Sequence, residues 1–437
     1  MKIALIGNMN NANFSILRYL HDLGYDAKLF LYDNDADNEN EHFHWKNDTW
    51  ETEKWMKFIF KTSIRNSSAQ ILSGKYFWYL ILSLLQKIAI LFGSKGDFFN
   101  PGIKNVGKYI DTNFQKYDII IGSGNLPALF TYSKRLKLSI FYPYSTGVEY
   151  INVVFEAENN FKNFVVRKLI QRSREVQING VINKTTLIYN AEMGITNRTL
   201  LSLNYNVKNN FIPAVYVESN PTHKNTRLKE LIERINSFDF SILMHSRHKW
   251  DDTSKHNLQW EENENKNNHW LIKAYSRFLK LYPMSNAKLI MMNYGEHTEK
   301  SKNLIKKLKL NKNIIWLEKM PRRELLEIIK KVDLVAGEFY TANKMIWGST
   351  GWEAFACGKP FLNSFKFQEK SFSQIFGIPE PIILNSNSID EIYESIVFAY
   401  QNPKKIIKIG IENYNWFQKY IGLNQTKEWI DYYLTKK

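Results

Sequence analysis

The stretch Gly348–Pro360, GSTGWEAFACGKP, brings together residue types that could do chemistry at close range. It sets one carboxylate, Glu353, among glycines, alanines and hydroxyls, and such small residues let a ligand approach the backbone. Thr350 and Glu353 fit the S/T-x-x-E capping box, in which each side chain satisfies a backbone N–H left over at a helix start. Gly358 suits the left-handed residue that follows a helix, and Pro360 forbids continuation. The spacing predicts a helix of about two turns. Its N-terminus, entered from Gly348, could hold an anion on the N–H groups of Ser349, Thr350 and Gly351. Capping by itself would also account for Glu353. Cys357, the single cysteine, stands between Ala356 and Gly358 and reads as a small packed residue. His42 and His44 lie near acids, but in a polar loop they read as solvent-facing rather than as metal ligands.

What that N-terminus faces depends on the elements around it. With 437 residues, 44% hydrophobic and 15% aromatic, the chain has enough apolar surface for two or three domains with real cores. One cysteine excludes a disulfide framework and a cysteine-based zinc site, which fits a reducing cytoplasm. The first residues, MKIALIGNMNNANF, have too short an apolar run for a signal peptide. KIALIG, a Gly/Asn-rich turn, the amphipathic FSILRYLHDLGY and AKLFLY give a β-turn-α-β opening without G-x-G-x-x-G, so no dinucleotide is implied. The acidic run from Asp33 to Glu53 reads as a surface excursion. YDIIIGSG, LSIFY and TTLIYN are further strands. After the segment Pro213 to Pro221 the pattern restarts with FSILM, AKLIMM, NIIWL, DLVAG and KPFLN, separated by helical runs. Strands alternating with helices predict doubly wound parallel sheets. We expect an N-terminal domain over 1–212, a C-terminal domain over 213–405, and helices over 406–437 packing back on the first domain.

At this point the residues carry a resemblance. The C-terminal half resembles the donor-binding domain of GT-B glycosyltransferases, and among them glycosyltransferase family 4. That family has a strand ending in arginine, matched by Arg247 in SILMHSRHKW, and then a lysine opening the next helix, matched by Lys266; Lys249 is the alternative lysine. It also has a strand, a variable loop and G…EAxACGKP, matched by DLVAGEF…GSTGWEAFACGKP. The resemblance spans roughly residues 240 to 365. It implies an α/β GT-B fold, two Rossmann-like doubly wound parallel-sheet domains facing a cleft. The family pairs two glutamates two helical turns apart; the second is Glu353, but Met345 stands where the first should be, beside Lys344, with Glu338 earlier at the end of a strand.

The resemblance also implies roles. Sugar transfer from a nucleotide donor must stabilise a departing diphosphate as the glycosidic bond breaks. Arg247 would offer a planar fork to the phosphates and Lys266 a point charge. The Gly348, Ser349, Thr350 and Gly351 backbone would face the same anion, with Glu353 on the ribose hydroxyls and Glu338 near the donor. The triplets Asp33–Asp35 and Asp35–Asp37 match the D-x-D string of metal-dependent transferases but sit inside a run of acids, so no metal and no other cofactor is expected. On the first domain, Glu149 is the candidate acceptor-side base, while Asn10, Asn11, Asn13, Gly122 and Asn125 line the acceptor-side loops.

The net charge of +16 fits anionic partners. No nucleic-acid motif occurs, so the expected partners are a nucleotide sugar and a surface glycan or lipid-linked acceptor. Residues 76–93, YFWYLILSLLQKIAILFG, are nearly apolar but interrupted by Ser83, Gln86 and Lys87. They read either as a core helix or as one lying on the inner face of a membrane. The expected function is metal-independent, retaining sugar transfer for capsule, lipopolysaccharide or another lipid-linked glycan. The alternatives are a GT-B-fold epimerase acting on a UDP-sugar and a non-catalytic glycan-binding scaffold.

Overall fold

In the computed structural model the described residues are 1–33, 44–143, 161–190, 200–204, 206–219, 225–251, 265–340, 347–365 and 371–436. The near-continuous apolar runs, which can be buried on both faces only if helices cover both sides, become the strands of two all-parallel sheets. The first sheet holds β1 (Lys2–Ile6), β2 (Asp26–Leu31), β3 (Ile59–Lys61), β4 (Ile119–Gly122), β5 (Leu138–Phe141), β6 (Thr185–Asn190) and β7 (Val207–Asn209). Their order is β3-β2-β1-β4-β5-β6-β7, and every pairing is parallel. The second sheet holds β8 (Phe240–Met244), β9 (Ala287–Met292), β10 (Ile314–Leu317), β11 (Leu334–Ala336), β12 (Phe361–Asn363) and β13 (Ile383–Asn385). Its order is β10-β9-β8-β11-β12-β13, again all parallel. These are the doubly wound, Rossmann-like sheets expected. In each, the strand order reverses beside the opening strand: between β1 and β4, and between β8 and β11. That reversal opens a crevice beyond the carboxyl ends of the strands.

The chain divides into two units, one comprising Met1–Trp45, Glu51–Ala214 and Gln425–Lys437, the other Lys46–Trp50 and Val215–Asn424. The core of the first gathers Ile3, Leu5, Phe14, Leu17, Ile119 and Trp429 around β1; that of the second gathers Ile242, Met244, Leu271, Tyr275 and Leu289 around β8. The stretch 406–437 is shared between them. Helix Pro403–Tyr420 lies on helix Ser349–Ala356, so close that a Cβ on Gly410 would come 2.3 Å from the Gly358 carbonyl oxygen. Trp429, from helix Leu423–Lys436, is fully buried in the first unit and stacks on Tyr189 with centroids 4.5 Å apart.

The acidic excursion is a surface run only in part. His44, Trp45, Asp48 and Thr49 are buried, and Trp45 meets Phe14 edge-on at 5.7 Å. Apolar burial of the tryptophan ring outweighs the polarity of its neighbours. The 76–93 run forms helix Tyr76–Leu91, with Leu82 and Gln86 buried and most of its large apolar residues in solvent. No helix among the described residues is long and apolar enough to cross a membrane.

Candidate active site

The expected donor residues converge on the crevice of the second sheet. β8 ends at Met244 and delivers His245, Ser246 and Arg247; its neighbour β11 ends at Ala336 and delivers Gly337 and Glu338. Helix Ser349–Ala356 follows, with Gly348 in extended conformation at its N-cap. Gly358, at φ +69°, closes it in the left-handed region as the sequence predicts.

The capping box does not form. Gly348, not Thr350, occupies the cap, and no side chain bonds there. Thr350 sits inside the first turn, and its Oγ1 is buried without a hydrogen-bond partner. Glu353 turns away from the helix start. Its Oε2 accepts from His245 Nε2 at 2.8 Å and its Oε1 from Arg322 Nε at 2.8 Å. Two charge-assisted partners outweigh one backbone cap. Arg322 also lies 3.7 Å from Asp48 Oδ1, so its guanidinium stands between two carboxylates, all within the second unit. Burial would raise the Glu353 carboxyl pKa, but Arg322 and the His245 hydrogen bond together bring it below the usual range. A carboxylate can only accept, so His245 Nε2 donates in this bond, while its Nδ1 is buried without a partner. Tyr294 closes this side; burial first, and then the Glu353 charge, push its phenol pKa up.

Neither Arg322 nor His245 was singled out by sequence reasoning. The signal available was a basic pair, Arg322–Arg323, in the first turn of helix Arg322–Ile329. Cations there oppose the helix dipole and need a reason to be kept.

Lys266 reaches the crevice through a stitched turn. Its carbonyl accepts the Phe339 N–H at 3.1 Å, and Asn267, left-handed at φ 45°, donates its amide to the Phe339 carbonyl at 2.7 Å. These bonds tie the start of helix Asn268–Leu281 to the end of β11, and the Lys266 ammonium pairs with the buried Glu338 carboxylate. Lys249 runs alongside, its carbonyl accepting the Lys266 N–H at 2.6 Å. A Cβ on Gly348 would stand 3.5 Å from Glu338 Oε2. The cap of helix Ser349–Ala356 therefore already has a carboxylate beside it, balanced by Lys266. Arg247 is exposed on the same edge.

In the first unit, Asn10 and Asn11 adopt left-handed conformations, φ 47° and 60°, where β1 gives way to helix Ala12–Asp22. Asn13 is buried and structural: its amide donates to the Ile6 and Gly7 carbonyls, and its oxygen accepts from the Tyr142 hydroxyl at 2.7 Å. Gly122 ends β4 and Asn125 precedes helix Leu126–Phe130. His44 is buried rather than solvent-facing. Glu149, Asp35, Asp37, His42, Lys344 and Met345 lie outside the described residues. Among the described residues no group of three metal-ligating side chains forms.

This geometry can hold an anion. Two cations, Lys266 and Arg247, and a helix N-terminus share one edge, and Thr350 Oγ1 in the first turn of that helix is buried without a partner.

The fold has counterparts among known proteins. Residues 261–407 match the family described as glycosyl transferases group 1. No curated protein matches the chain in sequence. Among solved structures, Anabaena HepE in complex with UDP and glucose aligns over 100% of both chains at TM-score 0.55 and 15% identity. A glycosyltransferase from Rickettsia africae aligns over 100% of this chain and 98% of its own, at TM-score 0.51 and 16% identity. A Staphylococcus aureus TarM mutant in complex with fondaparinux, alpha-GlcNAc-glycerol and UDP aligns over 99% of both, at TM-score 0.54 and 12% identity. Over residues 261–407 the chain is thus similar to glycosyl transferases of group 1, and over its whole length it shares the two-domain GT-B fold of these structures.

Proposed function

We propose that this chain transfers a sugar from a nucleotide-sugar donor to a surface-glycan or lipid-linked acceptor, without a metal and with retention at the anomeric carbon. The observation that carries the reading is the Lys266–Glu338 pair beside the Gly348 cap, at the crevice between β8 and β11. A departing diphosphate carries the charge that such a place stabilises. On donor binding the phosphates take Lys266 from Glu338, and Arg247 adds a fork for two phosphate oxygens. Backbone N–H groups of Ser349, Thr350 and Gly351 complete the anion site. Glu353 has accepted two hydrogen bonds, about half the capacity of a carboxylate, and can still take a ribose hydroxyl. HepE and TarM, crystallised with UDP, support a uridine nucleotide as the first to try. Glu149 is the group we assign to deprotonate the acceptor hydroxyl.

The test is release of nucleoside diphosphate from a nucleotide sugar, measured with and without a glycan or lipid-linked acceptor. A transferase releases it in proportion to acceptor. Release that ignores the acceptor would assign the chain to epimerisation through elimination, and absence of release with every donor would make it a scaffold.

A further inference from the structure

Helix Tyr76–Leu91 is inside out. The residues it buries are Leu82 and Gln86, and Gln86 spends its amide on the chain beyond: Nε2 donates to the Gly96 carbonyl at 3.2 Å, and Oε1 accepts the Phe99 N–H at 3.1 Å. Facing outward are Phe77, Leu80, Leu84, Ile88 and Leu91, spaced three or four residues apart and so aligned on one stripe. Leu84 is 60% exposed and Leu91 84%, and beyond the helix end Phe92 is 88% and Phe98 81% exposed. Scattered apolar residues on a surface need no explanation, but a continuous stripe about 21 Å long, at 1.5 Å per residue, does.

The charge around the stripe is of one sign. Residues 75–110 contain Lys75, Lys87, Lys95, Lys104 and Lys108, all exposed, and a single acid, Asp97. That acid is paired, its Oδ2 accepting from Arg65 at 2.8 Å. Lys104 stands over the Tyr76 ring at 4.6 Å. An apolar stripe fringed by lysines fits the boundary between acyl chains and anionic headgroups. It does not fit a second copy of itself, since a symmetric pairing would bring two sets of lysines together. Nor does the helix suit a spanning role.

We propose that this face docks the protein on an anionic lipid bilayer, with the Phe77–Leu91 stripe and Phe92 entering the headgroup boundary and the lysines contacting lipid phosphates. The proposal uses nothing of the donor site, so it stands or falls apart from sugar transfer.

The experiment is flotation of the full chain with two kinds of vesicle, phosphatidylcholine alone and phosphatidylcholine with phosphatidylglycerol in equal parts. Binding to the anionic vesicles, weakened by salt, is expected. The double substitution Leu84→Gln and Ile88→Gln removes exposed side chains, so it should leave the unfolding midpoint in place while lowering partition at least tenfold. Lys87→Gln should lower it about fivefold, and only on the anionic vesicles. Equal recovery on both vesicle types, or partition unmoved by Leu84→Gln with Ile88→Gln, would overturn the proposal. If sedimentation shows a dimer that those same substitutions dissolve, the face belongs to a second copy instead.

Discussion

Replacing Glu353 by glutamine asks whether a buried ion pair or a helix cap governs this residue. In the native chain the carboxylate meets Arg322 Nε and His245 Nε2, each at 2.8 Å. With charge centres about 4 Å apart and an effective dielectric of about 20, the gross attraction to Arg322 is roughly 4 kcal/mol. Removing one partner of a buried pair costs about 3–5 kcal/mol, because the survivor stays desolvated. Two features lower the figure here. Glutamine keeps an acceptor oxygen, and Asp48 still offsets the guanidinium from 3.7 Å. We therefore expect a loss of about 2–3 kcal/mol, read as a lower urea midpoint at unchanged slope. A capping role predicts a loss under about 0.5 kcal/mol, since glutamine serves a capping box as well. The pH dependence gives a second readout. Burial raises the Glu353 carboxyl pKa, but Arg322 and His245 bring it net below the ordinary value of 4.5. The unfolded chain binds the proton more tightly, so this contribution is present above the unfolded value and lost as pH falls through the folded one. The gap between native and Glu353→Gln should narrow on acidification below about pH 4. A variant within about 0.5 kcal/mol of native, with a gap that ignores pH, would refute the ion-pair account.

Three further outcomes follow from the same geometry. His248 is buried with both ring nitrogens bonded, to Ser301 and the Met292 carbonyl, and burial lowers its pKa to about 4. The unfolded ring binds the proton first, so stability should fall by up to about 1.4 kcal/mol per pH unit between roughly pH 6.5 and 4, and His248→Gln should flatten that slope. Gly410→Ala should destabilise by about 1–3 kcal/mol through the 2.3 Å approach to the Gly358 carbonyl; a gain near 1 kcal/mol, the ordinary helix-propensity effect, would mean the two helices are not in contact. Calorimetry with the preferred nucleoside diphosphate should give the same affinity with and without EDTA, and a large loss on chelation would return attention to the acids near Asp35.

Much of the scaffold was legible because parallel strands buried on both faces are written as unbroken apolar runs. KIALI, IIIG, FSILM and AKLIMM announce themselves, and each became an interior strand of its sheet. The strands that escaped are β3, β7 and β13, each three residues long at or beside a sheet edge, where no periodicity can develop. The site was legible in composition and not in pairing. Glu353 stands out as a lone carboxylate among small residues, but the partners that decide its behaviour, His245 and Arg322, lie 108 and 31 residues away. A local motif, the capping box, fitted the spacing and lost to them. Lys266 was found from its place in a motif, whereas its pairing with Glu338 depends on the Asn267 turn, which only the backbone reveals. The inversion of helix Tyr76–Leu91 was likewise hidden: composition could not say which face Gln86 occupies.

The central claim is that the edge between β8 and β11 binds the diphosphate of a nucleotide sugar. Its most direct test is calorimetry of the native chain and of Arg247→Ala with a nucleoside and its diphosphate, beginning with uridine and UDP. Arg247 is exposed, so its loss should leave the fold intact. The account predicts that the diphosphate binds the native chain more tightly than the nucleoside. It also predicts that Arg247→Ala costs about 1.5–3 kcal/mol for the diphosphate while leaving the nucleoside nearly unchanged. No binding of any nucleoside diphosphate, or equal losses for nucleoside and diphosphate, would contradict it.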